Sequence, residues 1–184
     1  ISLTGAQAGI RTSGHYMKNK IDDINGDVIK GHLNEGKIVV VAGFQGVNKD
    51  GDVTTLGRGG SDTSAVALAA ALGGKCEIYT DVDGIYSIDP RVYSDAKKLP
   101  YISYDEMMEL AFLGAGVMEP RAVELGSKYG VEIYVGKSLG EKNGTIITSV
   151  EKVKENKEME EKVITGVSIN ENMVMVNVEE ITTN

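Results

Sequence analysis

Apolar runs and helical periods alternate along this chain. Lys37 to Phe44 carries a continuous Ile-Val-Val-Val-Ala run, the pattern of a buried strand. From Ser61 to Leu72 the period changes, with Ala65, Leu68, Ala69 and Leu72 on one helical face and Gly73-Gly74 as the stop. Cys76 to Thr80 predicts a further strand. Ser103 and Glu106 have capping-box spacing and open a helix through about Leu113. Pro120 suits the first turn of another helix, which runs to Tyr129 and closes at Gly130. Val131 to Val135 and Thr145 to Ser149 predict two more strands, and Asn48-Lys49-Asp50-Gly51 a hairpin turn. Strands alternating with helices imply an α/β chain with a mostly parallel sheet covered on both faces.

With 184 residues, 41% of them hydrophobic, the chain is long enough for one α/β domain with an appendage. A net charge of -8 argues against a nucleic-acid binder, which must neutralise phosphates. The run from Ala65 to Leu72 is far shorter than the ~20 residues a bilayer requires, and no signal segment is visible, so no membrane association and a cytoplasmic location are expected. Cys76, the single cysteine, reads as an inert core thiol. His15 and His32 lie far apart without partners at ligand spacing, so no protein-held metal is expected. From Glu151 to Lys162, five Glu nearly balance four Lys, the composition of a solvated linker or helix. Beyond it, Val163 to Ile169 and Met173 to Val178 are spaced to pair as strands around Asn170-Glu171-Asn172.

Chemistry concentrates in Thr54-Thr55-Leu56-Gly57-Arg58-Gly59-Gly60-Ser61-Asp62. Gly59 and Gly60 let a ligand approach the main chain, and Ser61 is an N-cap candidate for a helix whose free N–H groups favour an anion. Arg58 adds a planar fork suited to a carboxylate. An anionic substrate is the natural reading; the plainer one is a connecting turn with Arg58 solvated and Asp62 near a helix N-terminus. A second cluster runs from Thr80-Asp81-Val82-Asp83-Gly84-Ile85-Tyr86 to Asp89-Pro90-Arg91. It reads either as a ligand loop or as a tight turn with Asp81 and Asp83 as caps and Tyr86 in the core. The Gly57–Asp62 stretch does not satisfy the dinucleotide glycine pattern, and Asn48–Gly51 lacks the end ligands of a calcium loop.

TTLGRGGSD, YTDVDGIYSIDPR and YDEMMELAFLGAGVMEPRA together resemble the aspartate kinases of the amino-acid kinase family, from SLTGAQAGI to GTIITSV. The resemblance implies a three-layer sandwich with a mostly parallel central sheet. Residues 1–150 would form the C-terminal portion of the catalytic domain, 151–162 a charged linker, and 163–184 the truncated start of an α+β ACT-like regulatory domain. The implied reaction is ATP-dependent phosphorylation of the side-chain carboxylate of L-aspartate, the entry to lysine, threonine and methionine synthesis. That carboxylate is ionised at neutral pH, its pKa being ~3.9, so it needs no general base.

By the same resemblance Arg58 and Ser61 bind aspartate, and Asp62 orients the lysine of the Lys-Phe-Gly-Gly segment with which family members open, a segment not present ahead of Ile1. The resemblance likewise implies that Thr80, Asp81, Tyr86 and Arg91 contact ATP. Where many relatives have Gly-Ala-Lys-Val, this chain has Gly114-Ala115-Gly116-Val117. Lys137 or Arg121 then replaces the lysine, or backbone at Gly116 and Val117 makes the contact. The resemblance further implies that Mg²⁺ enters with the nucleotide and that the intact enzyme is a homo-oligomer, and this stretch alone is expected to turn over little. Glutamate, acetylglutamate, carbamate or nucleotide monophosphate kinases of the same fold, and a non-catalytic ligand-binding fragment, are the alternatives.

Overall fold

The computed structural model describes residues 1–15, 17–113, 116–139, 143–156 and 164–169. In chain order it contains β1 (Ser2–Leu3), β2 (Ile10–Ser13), β3 (Lys20–Ile24), α1 (Asp27–Asn34), β4 (Val40–Val41), β5 (Gln45–Val47) and β6 (Val53–Thr55). Then come α2 (Gly60–Leu72), β7 (Cys76–Thr80), β8 (Ile85–Tyr86), β9 (Lys98–Leu99), β10 (Tyr101–Ser103), α3 (Tyr104–Phe112), α4 (Pro120–Tyr129), β11 (Ile133–Lys137), β12 (Thr145–Thr148) and α5 (Val150–Asn156). The expected α/β class is what forms.

A central sheet has the order β10-β12-β11-β7, with β10/β12 and β11/β7 parallel and β11/β12 antiparallel. A second sheet, β3-β2-β5-β6, joins two antiparallel hairpins through a parallel β2/β5 contact. β1 and β4 pair in parallel, and β8 with β9 antiparallel. Asn48 stabilises the β5–β6 turn by accepting the N–H groups of Asp50 and Asp52 on its side-chain oxygen, as its position in a turn motif predicts.

α2 lies between two apolar clusters. Val66 and Ala69 enter the larger one with Ile102, Met107, Val123, Ile133 and Ile147, while Leu68 and Leu72 pack on the smaller one with Leu3, Ala8, Ile10 and Ile29. The single face expected from the sequence is therefore two faces, because a helix buried between two cores has no solvent side to keep polar. Its stop is as expected: Gly73 takes φ 71°, and N–H groups of the turn return to the Ala69 and Ala70 carbonyls. Gly130 ends α4 the same way at φ 65°, and Pro120 opens it.

The capping box of α3 is complete. Ser103 Oγ accepts the Glu106 N–H at 3.2 Å, and Glu106 Oε2 accepts the Ser103 N–H at 2.9 Å. Ser103→Ala removes the first of these bonds at a buried helix end, and is expected to cost about 1–2 kcal/mol. Thermal unfolding should show a midpoint lower by roughly 2–8 °C.

Three expectations are corrected. The apolar run of 37–44 yields only the two-residue β4, with Ile38 83% and Val40 58% exposed. Among the described residues β4 pairs with β1 alone, and a run of apolar residues cannot reveal whether neighbours exist to cover it. Ser61 is not the N-cap of α2: Gly59 holds that position in the left-handed region, and the helix is already under way at Gly60. Residues 164–169 form no strand, since the Val167 N–H is committed to the Ser87 carbonyl at 2.7 Å, and Thr165 and Ser168 bond to Glu106 and the Leu113 carbonyl. Val163 and the 173–178 stretch lie outside the described residues, as does 157–162 beyond α5.

Candidate functional site

β6 ends in a turn that delivers Arg58 to the start of α2. Gly57 and Gly59 take φ 79° and 64°, conformations that side chains rarely adopt. A Cβ on Gly60 would sit 2.8 Å from Phe44 Cδ2 and 2.9 Å from Leu56 Cβ, so the helix begins in direct contact with the strand it follows. The N–H groups of Gly60 and Thr63 go to the Gly57 and Gly59 carbonyls. Those of Ser61 and Asp62 have no main-chain acceptor among the described residues, and Gly59 provides no side-chain cap. This is the open helix start that attracts an anion.

Arg58 is exposed beside that start, with no hydrogen bond or ion pair among the described residues. Ser61 is also exposed. Asp62 is half-buried, and burial pushes its carboxyl above the usual range; the nearby Glu119 charge adds to this, while the Glu119 backbone N–H and the Ser61 hydroxyl oppose it. The fold thus penalises the ionised form of Asp62 relative to the unfolded chain. That penalty is absent below the unfolded-state pKa and reaches its full size as pH rises through the folded-state one. Asp62→Asn is therefore expected to raise the melting temperature at pH 7, with the gain vanishing as pH falls through the carboxylate range. Melting curves of both proteins across pH check this, and a gain independent of pH would contradict it.

The second cluster sits at the carboxyl ends of strands, where open α/β sheets present ligand sites. Thr80 ends β7 opposite Lys137 on β11. Its hydroxyl donates to Asp81 Oδ1 at 3.0 Å, and its carbonyl accepts the Ser138 N–H. Asp81 is exposed. Tyr86 donates to Asp83, which also pairs with Lys98 at 3.1 Å. Burial raises the Asp83 pKa, but the Lys98 and Tyr86 contacts outweigh it and hold the carboxyl below its usual range. Arg91 lays its fork on Asp89, with Nη2 to Oδ2 at 2.7 Å, and remains 88% exposed. Asp83 and Asp89 thus serve Tyr86, Lys98 and Arg91 as structural partners.

The structure joins Arg58, Ser61 and Asp62 on one turn, and Thr80 with Lys137 on adjacent strand ends. Among the described residues, Arg91 and Tyr86 form no hydrogen bond or ion pair with the Arg58 turn. Gly116 is exposed, and a side chain there would meet nothing within 4 Å; Val117 packs on the larger core. Arg121 is no spare cation, because its fork is taken by the Leu56 and Asn19 carbonyls at 3.1 and 2.8 Å. Cys76 is buried, its thiol pushed up to about 11 by desolvation, which fits an inert residue. A half-open cleft of about 820 Å³ lies apart from these residues, between the two hairpins, with Arg11, Asp22, Lys49 and Asp50 on its walls.

The sequence profile described as "Amino acid kinase family" matches residues 1–137. The chain belongs to this family. Aspartokinase 2 of Bacillus subtilis (strain 168) is 54% identical over 157 residues, covering 85% of this chain and 38% of that protein. The aspartokinase of Bacillus sp. (strain MGA3) is 51% identical over 179 residues, covering 97% and 42%. Among solved structures, E. coli aspartokinase III in complex with aspartate and ADP matches with a TM-score of 0.74 at 33% identity, over 81% of this chain and 34% of that one. The chain thus spans about two fifths of the length of the curated relatives it matches.

In this amino acid kinase, sequence reasoning missed Phe44 and the role of Glu119. Phe44 is the one described non-glycine residue with positive φ, 69°, held by its N–H to Ser64 Oγ at 3.2 Å and by the Leu56 N–H to its carbonyl. Nothing in the sequence marks that conformation. Glu119 covers Gly59 closely enough that a Cβ there would lie 2.4 Å from its side chain.

Proposed function

We propose that this chain is part of an aspartate kinase and carries its aspartate-binding turn with part of its nucleotide site. The observation that carries the reading is Arg58, a guanidinium with no partner among the described residues beside the open N-terminus of α2, in a chain about half identical to proteins named aspartokinase. Arg58 grips a carboxylate of L-aspartate in bidentate fashion, and Ser61 and the first N–H groups of α2 fix the substrate. The attacking oxygen is already anionic, so the residues here position it and stabilise charge rather than remove a proton. Asp62 has no cation partner among the described residues, and by the resemblance to aspartate kinases its role is to orient the lysine of their Lys-Phe-Gly-Gly segment.

Thr80, Asp81, Tyr86 and Arg91 contact ATP, with Lys137 at the same strand ends and the main chain of Gly116 and Val117 completing the contact. Mg²⁺ arrives on the phosphates and keeps much of its water, so it needs no protein cage. The intact enzyme is a cytoplasmic homo-oligomer feeding lysine, threonine and methionine synthesis, with an allosteric ACT module after residue 162. Alone, the 184-residue chain is proposed to bind aspartate but to turn over little.

Incubating the chain with Mg-ATP and L-aspartate, then trapping any acyl phosphate with hydroxylamine, tests turnover; calorimetry with aspartate, glutamate, acetylglutamate and UMP tests substrate. Binding of aspartate with only trace product is expected. Turnover at an ordinary enzymatic rate would overturn the claim of incompleteness, and preference for another acceptor would overturn the substrate.

A further inference from the structure

We infer that the first turn of α4 is a positioning clamp on the anion-binding turn, with Arg121 holding the Leu56 carbonyl from below and Glu119 closing over Gly59 from the side. The inference rests on the reading above for the identity of the ligand, though not for the clamp itself. Arg121 stands in the second position of α4, where a positive charge opposes the helix dipole. Its placement there is offset by two charge-assisted hydrogen bonds. One goes to Leu56, the residue before the glycine-rich turn, and the other to Asn19, whose own N–H is bonded to the Thr55 carbonyl at 3.1 Å. Both acceptors belong to residues only 1% exposed.

A single guanidinium thus staples the end of β6 and the start of β3 to the helix that packs on α2. Glu119, one residue before α4, presses its Cβ and Cγ against the face of Gly59. Arg58 lies between these two held points. Its side chain makes no hydrogen bond or ion pair among the described residues, and its backbone is flanked by Leu56 on one side and Gly59 on the other. The 116–118 segment leads directly into Glu119, so the residues proposed for the nucleotide side adjoin the turn proposed for the acceptor.

The test compares wild type, Arg121→Met and Arg121→Lys in the 184-residue chain by amide hydrogen exchange and by L-aspartate titration. Arg121→Met keeps an apolar stem and deletes the fork. Exchange at Leu56 and Gly60 is expected to rise about tenfold more than at Ile133 and Val135 of the core, and aspartate affinity to fall about tenfold, with Arg121→Lys between. A merely structural arginine would raise exchange at the turn only in step with the core amides, and that result would overturn the clamp. So would a loosened turn that binds aspartate as tightly as before. If wild type binds no aspartate while the turn amides alone accelerate, the substrate reading fails for this chain and the clamp stands. Should Arg121→Met fail to fold, Arg121→Lys carries the same comparison.

Discussion

Arg58→Ala is expected to weaken L-aspartate binding by on the order of 100-fold or more, because the bidentate charge-assisted pair proposed for Arg58 would be lost from a turn otherwise rich in acidic groups. Asp62 and Glu119 stand close to the same turn, and the chain as a whole carries a net charge of -8. A dicarboxylate entering without the guanidinium would meet uncompensated repulsion, with only the dipole of α2 in its favour. Stability should barely change, since Arg58 is exposed and makes no bond among the described residues. Calorimetric titration of aspartate and of Mg-ATP into both proteins separates the effects. Loss of aspartate binding with nucleotide binding spared supports the assignment, and equal loss of both places Arg58 elsewhere in the chemistry.

Ile133→Ala should destabilise the fold by about 2–5 kcal/mol, the range for truncating a buried branched side chain. Ile133 is fully buried at the centre of the main sheet, paired with Cys76 on β7 and with Ile147 on β12. On its other side α4 comes close because Gly126 has no side chain: a Cβ there would sit 2.7 Å from Ile133 Cδ1. Strands tied on both sides, and a helix already in contact, leave the cavity little freedom to collapse. Urea unfolding should show a lower midpoint with unchanged slope, and Ile133→Val only about 0.5–1.5 kcal/mol. A loss under about 1 kcal/mol for the alanine variant would mean that the helix relaxes into the gap, contrary to the packing described.

Much of the fold was legible because helix limits are written in local chemistry. Ser103 with Glu106, Pro120, Gly73 and Gly130 each act on groups within a turn of themselves, and each does in the structure what its sequence position predicts. The hairpin at Asn48 is of the same kind. The run of 37–44 failed for the opposite reason: burial is a property of neighbours, and the apolar letters are the same whether or not a strand lies against them.

The candidate site divides along the same line. Glycine-rich turn, arginine, serine and aspartate are contiguous in the chain, so their convergence needed only the local turn into α2, and membership of the amino acid kinase family could be read from those motifs. How the turn is held could not. Arg121 reaches carbonyls 65 and 102 residues away, Glu119 meets Gly59 across the fold, and Phe44 takes a positive φ that its contacts with Ser64 and Leu56 maintain. Main-chain carbonyls carry no residue identity, so no pattern of letters announces that an arginine will seek them. Only the assembled chain brings those partners within bonding distance.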